Sequence, residues 1–149
     1  MARVLMLTLV YEPDTVSTAN MMADIAQGLQ AAGHEVTVLT SVPHYNPSAQ
    51  VRADTRFGAS WWRPVSAVME RGVRVLRVFM PLKRHKVWSR GFDYLLFQCL
   101  TTLLGLFFVK RPDVVFVTSP PITLGLSGIL LSRLRGGAFI YDVRELWPD

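Results

Sequence analysis

Polar and charged side chains that can bind or activate a substrate cluster directly after three apolar segments of the chain. These candidate site residues are Glu12, Asp14, Ser17, Thr18, His44, Tyr45, Asp142, Arg144 and Glu145. Hydroxyl groups and the N–H groups at a helix N-terminus bind phosphate or sugar oxygens. A carboxylate at a strand end can act as a base or hold a sugar hydroxyl. The sequence therefore predicts a site for a phosphorylated or sugar ligand, with Asp142 as its catalytic group.

Each of these segments also has an ordinary structural explanation. Thr18 can cap the helix that follows it, while the acids of the first loop are simply solvated. His44 has no identified partner in the sequence, and Arg144 can pair with Glu145 on the surface. The residues alone leave both explanations open.

The hydrophobic pattern predicts the elements that position these residues. Residues 4–10 are almost continuously apolar, as in a strand covered on both faces, and residues 19–31 have helical spacing. The pattern further predicts strands at 35–40, 113–118 and 138–143, a hairpin at 65–70 and 73–78, and helices at 90–109 and 122–134. We expect an α/β fold with a Rossmann-like, doubly wound, mostly parallel sheet and a β-hairpin insertion. Such sheets bind ligands at the carboxyl ends of their strands.

Composition narrows the class of protein. The chain has 149 residues, a net charge of +5 and a single cysteine, Cys99. The positive charge favours anionic partners, namely nucleic acid, acidic lipid or phosphorylated substrates. Because the sequence contains no recognised nucleic-acid-binding motif, we expect no nucleic-acid partner. One cysteine allows no disulfide within the chain and favours a reducing compartment. Its apolar neighbours predict that Cys99 belongs to the core.

Several catalytic motifs are missing from the sequence. No G-x-G-x-x-G follows the first apolar run and no G-x-x-x-x-G-K-[ST] occurs, which disfavours a nicotinamide dehydrogenase and a P-loop enzyme. Neither C-x-x-C nor H-E-x-x-H occurs, so the sequence predicts no metal site.

Residues 94–109 form a run of sixteen residues without a charge. As a helix this run is about 24 Å long, against about 30 Å for the hydrocarbon core of a bilayer. Three interpretations stay open: a helix packed on the sheet, a helix partly embedded in a membrane surface, and a membrane span. Basic residues and a tryptophan lie just before the run. Basic side chains bind anionic lipid headgroups, and tryptophan prefers the interface between membrane and water. We therefore predict membrane contact for Lys83, Arg84, Lys86 and Trp88.

Three stretches of the sequence are distinctive together. They are residues 10–14 leading into residues 23–40, residues 43–47 with the sequence Pro-His-Tyr-Asn-Pro, and residues 141–149 with the ending Glu-Leu-Trp-Pro-Asp. In this order they resemble the N-terminal domain of family 4 retaining glycosyltransferases. Among these the resemblance is to bacterial enzymes of the colanic-acid and O-antigen type, including fucosamine transferases.

The resemblance implies a GT-B fold of two facing Rossmann-like halves. The N-terminal half binds the acceptor and the C-terminal half binds a nucleotide-sugar donor, with transfer in the cleft, retention of anomeric configuration and no metal or other cofactor. Residues 1–149 correspond to the acceptor-side half, which we expect to be truncated, with the donor-binding domain absent. We accordingly expect no transfer by this chain alone.

The resemblance also suggests partners and a location. Its acceptor is a polyprenyl-diphosphate-linked sugar at the inner membrane, used in the synthesis of cell-surface polysaccharide. We therefore expect a cytoplasmic protein bound peripherally to an anionic membrane. Two departures from the family pattern stand out: residues 16–18 replace a common Gly-Gly pair, and Asp142 stands where many members have a histidine. The alternative is a non-catalytic membrane-docking subunit whose partner chain supplies the donor domain.

Overall fold

A computed structural model gives the fold and describes residues 1–44, 48, 50–51, 54, 59–60, 62–80 and 87–144. In chain order the elements are β1 (Arg3–Leu7), α1 (Ser17–Ala31), β2 (Glu35–Ser41), β3 (Val65–Glu70), β4 (Val73–Val78), α2 (Val87–Phe107), β5 (Val114–Thr118), α3 (Leu124–Arg135) and β6 (Ala138–Asp142). The strands form one six-stranded sheet in the order β3-β4-β2-β1-β5-β6. All neighbours are parallel except β3 and β4. The predicted α/β, doubly wound, Rossmann-like architecture is confirmed.

β1 lies in the middle of the sheet and pairs on both sides. Its Val4 is aligned with Val36 of β2 on one side and with Val114 of β5 on the other. The chain therefore winds outward from β1 in both directions, which makes the β1–β5 boundary a topological switch point. The loops that leave the parallel strands at 8–16, 42–44, 119–123 and 143–144 lie at one edge, which we name the carboxyl edge.

The sheet is covered by helices on both faces. Along β1, Leu5 and Leu7 belong to one buried cluster, and Val4 and Met6 belong to the other. The helix α1 buries Met22, Ala23 and Ala26 in the second cluster, and α2 and α3 bury Phe97, Leu104 and Leu131 in the first. Burial on both faces explains why the first strand is apolar at consecutive positions instead of alternating.

The hairpin predicted at 65–78 is confirmed, and it extends the sheet. Arg71 and Gly72 both have positive φ, at 48° and 82°, the conformation that a tight two-residue turn between antiparallel strands requires. The second strand, β4, pairs with β2 inside the sheet, and the first strand, β3, forms its edge.

The structure corrects two details of α1 and the strand before it. The strand ends at Leu7, although Leu9, Val10 and Tyr11 are also buried, because these loop residues pack into the two cores. The helix begins at Ser17 after Val16, and no side chain caps it. The prediction that Thr18 caps this helix is therefore wrong, since Thr18 already lies in the first turn.

The prediction that Cys99 lies in the core is also wrong. Cys99 is exposed, whereas Phe97 is fully buried. Residues two positions apart on a helix point about 200° apart, so burying Phe97 against the sheet turns Cys99 outward. α2 does pack on the sheet, with its other face in the open.

Candidate functional site

Two polar clusters lie at the carboxyl edge. One is formed by residues at and after the ends of β1 and β2, and the other by residues at and after the ends of β5 and β6. The first, which we name the β1–β2 cluster, consists of Asp14, Ser41 and His44. The second, the β5–β6 cluster, consists of Thr118, Ser119, Asp142 and Arg144. The order of the strands places these clusters on opposite sides of the switch point.

The β1–β2 cluster ties together the loops that follow its two strands. Asp14 is buried, and its Oδ1 accepts a hydrogen bond of 2.9 Å from the backbone N–H of His44. The hydroxyl of Ser41 lies 2.8 Å from the carbonyl oxygen of Leu9, to which it donates. The structure thus brings the predicted residues Asp14 and His44 together, and it gives the Asp14 carboxylate a role in fixing the position of His44.

The same contacts define the state of the His44 ring. Its Nδ1 lies 2.9 Å from the Ser41 hydroxyl oxygen and 3.0 Å from the Val42 carbonyl oxygen. Because the Val42 carbonyl oxygen can only accept, the contact to Val42 is a hydrogen bond in the tautomer that carries its proton on Nδ1 and its lone pair on Nε2. Burial lowers the pKa of His44, against the opposing effects of the bond to Val42 and the nearby Asp14 carboxylate. A neutral imidazole can accept a proton or a hydrogen bond from a substrate hydroxyl.

The main chain of the first loop is held by Arg77, a residue that sequence reasoning missed. Arg77 lies in β4 and is 1% exposed. Its Nη2 donates to the backbone carbonyl oxygen of Glu12 at 2.6 Å, and its Nη1 lies 2.8 Å from Glu70 Oε1. The available signal was that Arg77 alternates with Val73 and Val75 on the buried face of β4, because a buried charge needs partners.

The structure places Glu12 against the hairpin. Its Oε2 lies 4.0 Å from Nη1 of Arg71, a largely exposed pair. Among the described residues, the Glu12 carboxylate makes no hydrogen bond to either cluster. Glu12 is thus the predicted site residue that the structure does not join to the others.

Two tyrosines near this edge stay protonated at neutral pH. Burial raises the pKa of Tyr11 far above its usual value, and the carboxylates of Glu70 and Glu12 raise it further. Burial also raises the pKa of Tyr141, whose hydroxyl donates to the Ile122 carbonyl oxygen at 3.0 Å. Both phenols therefore act as hydrogen-bond donors and not as bases.

The β5–β6 cluster is built around an ion pair. Asp142 Oδ2 lies 2.5 Å from Arg144 Nε, and the side chains are 29% and 18% exposed. The backbone N–H of Arg144 donates to the Ser119 hydroxyl at 2.9 Å, and the Thr118 hydroxyl lies 3.4 Å from the Asp142 carboxylate. The two charged residues pair because side chains two apart at a strand end point the same way. Arg144 is thus partnered by Asp142, and the alternative partner Glu145 lies outside the described residues.

The helix α1 contacts this ion pair in its second turn. The guanidinium of Arg144 contacts Met21 Sδ in α1. The first turn of this helix contains no acidic residue and receives no side-chain cap, so its N–H groups at Ser17 and Thr18 keep the positive end of the helix dipole uncompensated. A guanidinium beside such a helix end is a favourable place for a phosphate group. Ser17 and Thr18 begin the same helix, one turn before the Met21 side chain that Arg144 contacts.

The remaining predictions fall outside what the structure describes. This applies to Tyr45, Glu145, Lys83, Arg84 and Lys86, and to the side chain of Trp88. Within the described ranges, no three histidine, cysteine, aspartate or glutamate side chains group as metal ligands would. Among the described helices, none has both the length and the apolar character that crossing a membrane requires.

Residues 18–149, which include α1 from its second residue onward and both Asp142 and Arg144, match the family model of the glycosyl transferase 4-like domain. The chain belongs to this family. A search of curated proteins found no match. Membership in the glycosyl transferase 4-like family confirms the resemblance at the level of the family and supports glycosyl transfer in general. The two clusters contain hydroxyl, carboxylate, imidazole and guanidinium groups, the kinds of group that can bind hydroxyls and phosphate.

Proposed function

We propose that this glycosyl transferase 4-like domain is the acceptor-side part of an enzyme of bacterial cell-surface polysaccharide synthesis. The enzyme moves a sugar from a nucleotide-sugar donor to a lipid-linked saccharide, in the manner of the colanic-acid and O-antigen enzymes. The observation that carries the proposal is the contact of the Arg144 guanidinium with Met21 in α1, the helix whose N-terminus is uncapped, next to the Asp142 carboxylate. A saccharide linked through a diphosphate presents the two complementary groups, phosphate and hydroxyl, side by side.

The site residues divide between these two groups. Arg144 and the N-terminal turn of α1, with Ser17 and Thr18, bind the diphosphate through charge-assisted hydrogen bonds. Asp142 contacts the reacting hydroxyl of the acceptor, and neutral His44 accepts a hydrogen bond from another sugar hydroxyl. In the transfer, an acceptor oxygen forms a bond to the anomeric carbon of the donor, the bond from that carbon to the donor phosphate breaks, and the hydroxyl proton leaves to a base. The nucleotide sugar is a substrate, and we propose no resident cofactor.

The proposed location follows from the acceptor. A polyprenyl chain holds the saccharide at the membrane, so the enzyme works as a cytoplasmic, peripheral protein at the inner membrane. The net charge of +5 favours an anionic surface. In the sequence, Lys83, Arg84, Lys86 and Trp88 form the basic and aromatic segment proposed to contact headgroups.

Binding of a water-soluble acceptor tests the proposal. The chain is titrated with a short-prenyl diphosphate saccharide, and binding is followed by calorimetry. We expect saturable binding that Arg144→Gln weakens by roughly ten- to a hundredfold, because a hydrogen bond to a charged group is worth about 1.5–3 kcal/mol. The matched control is Arg74→Gln, which removes an exposed arginine at the start of β4, and it should leave the affinity unchanged.

Two results would contradict the proposal. One is the absence of saturable binding by a chain that is folded by circular dichroism. The other is an equal loss of affinity in the Arg144 and Arg74 variants, which would indicate attraction by net charge alone.

A further inference from the structure

The outward face of α2 is apolar, although it is in the open. Helices on a protein surface normally present polar side chains to solvent. On α2 the side chains of Phe92, Leu95, Leu103 and Phe107 are 58%, 56%, 50% and 74% exposed. Cys99, also exposed, lies between them. This helix therefore has one face in the core and a second apolar face that nothing described covers.

The neighbouring helix α3 continues this surface. Its Leu126, Leu130 and Leu134 recur every four residues and are 63%, 44% and 61% exposed. The two helices are joined by a 2.8 Å hydrogen bond between the hydroxyls of Thr102 and Ser127. Between them runs an open groove of about 440 Å³, of whose eight lining residues four are leucines, two from each helix. We name this surface the α2–α3 apolar face; its members are Phe92, Leu95, Leu103, Phe107, Leu126, Leu130 and Leu134.

In the part of α2 and α3 whose side chains the structure describes, the exposed charged side chains are cations. Asp93 of α2 is 6% exposed, and α3 contains no acidic residue. Arg133 of α3 is exposed, and so is Arg111, which follows Phe107 by four residues. This pattern complements anionic headgroups. It opposes pairing with a second copy, because a two-fold interface would bring the same cations together.

We propose that the α2–α3 apolar face inserts into the boundary between headgroups and acyl chains of an anionic phospholipid membrane. The leucine and phenylalanine side chains enter the acyl region with both helices lying in the plane of the surface, and the arginines contact the headgroups. This inference is independent of the proposed acceptor, because it concerns lipids that carry no saccharide and a face formed by helices instead of the carboxyl edge.

The single cysteine provides a probe that needs no engineering. Cys99 is exposed and lines the groove. The chain is labelled there with an environment-sensitive fluorophore and mixed with vesicles of equal parts phosphatidylcholine and phosphatidylglycerol. We expect a blue shift of emission and quenching by spin labels on the acyl chains. Pure phosphatidylcholine vesicles and high salt should both weaken the signal, because the electrostatic attraction is then lost or screened.

A matched pair of variants distinguishes membrane insertion of the α2–α3 apolar face from non-specific adsorption of the chain to vesicles. The double variant Leu103→Gln with Leu126→Gln removes two exposed leucines, so it should stay folded, and its vesicle binding should fall at least about tenfold. Met69→Gln, at an equally exposed site in the edge strand β3, should bind as the parent chain does. Undiminished binding by the double variant, or an equal loss in Met69→Gln, overturns the proposal. A blue shift without lipid, accompanied by a dimer mass, overturns it in favour of a second copy.

Discussion

At the scale of single residues, burial decides the chemistry of His44. The ring is held by Ser41 and Val42, its backbone is held by Asp14, and burial lowers its pKa. The folded chain therefore takes up a proton at this ring less readily than the unfolded chain does. This difference gives the molecule a stability that depends on pH.

The sign of the pH dependence follows from the lowered pKa of His44. Its contribution to the free energy of unfolding is fully present above its ordinary pKa of 6.5 and is lost as the pH falls below that value toward the folded pKa. We expect urea unfolding of the parent chain to show stability declining from about pH 7 to about pH 5. His44→Gln should show a shallower decline over the same range. Equal slopes for the two proteins would mean that His44 is not the source.

The residue types of the site could be predicted from the sequence, but their pairing could not. Asp142 and Arg144 are close in sequence and lie at the end of a predicted strand, so the sequence could predict that they lie close together. Asp14 and His44 are thirty residues apart, and their contact depends on how two loops fold over the sheet end. Arg77 escaped notice because a charge in a strand is commonly assigned to an exposed position, as holds for Arg74 in the same strand.

At the scale of elements, the packing of α3 on the sheet depends on a small residue. A Cβ atom added at Gly128 would lie 2.6 Å from Phe139 Cε2 and closer still to the buried Val117 side chain. Because Val117 is branched at Cβ and enclosed, it cannot turn away from the added atom. The absence of a side chain at this position lets α3 approach β5 and β6.

We expect Gly128→Ala to destabilise the domain by about 1–3 kcal/mol, as overpacking of a core does. The control is Gly28→Ala in α1, where an added Cβ meets nothing within 4 Å. That substitution should stabilise the domain by about 0.5–1 kcal/mol through helix propensity. Chemical denaturation of both variants measures the difference. If Gly128→Ala were as stable as Gly28→Ala, the close approach would not be limiting.

The positions of the helices and strands could largely be predicted from the sequence. Apolar runs and helical spacing predicted every strand and helix of the sheet that the structure describes, with ends shifted by a few residues. The inward face of α2 could not be predicted, because its polar residues do not mark the outward face: Thr101 is fully buried, whereas Leu103 is 50% exposed. Only packing against the sheet decides that Phe97 faces inward and Cys99 outward.

At the scale of the whole molecule, stability is unevenly distributed across the sheet. β1 has a partner on each side and is almost entirely buried, whereas β6 is an edge strand whose Ile140 is 47% exposed. We expect the amides of β1 to exchange with solvent only through global unfolding. Those of β6 should exchange at least about a hundredfold faster through local opening, as hydrogen-exchange mass spectrometry can measure. Equal protection of both strands would instead indicate that the sheet opens as one unit.

The central place of β1 also shapes the order of events during translation. This strand is made before both of its partners, and its second edge stays unpaired until residues 114–118 of β5 have been synthesised. At about 5–20 residues per second, that wait lasts several seconds after β2 is complete. An apolar strand with an open edge is a template for pairing with other chains. The nascent polypeptide is therefore most vulnerable to aggregation, and most in need of a chaperone, at the segment that becomes the best-protected part of the finished sheet.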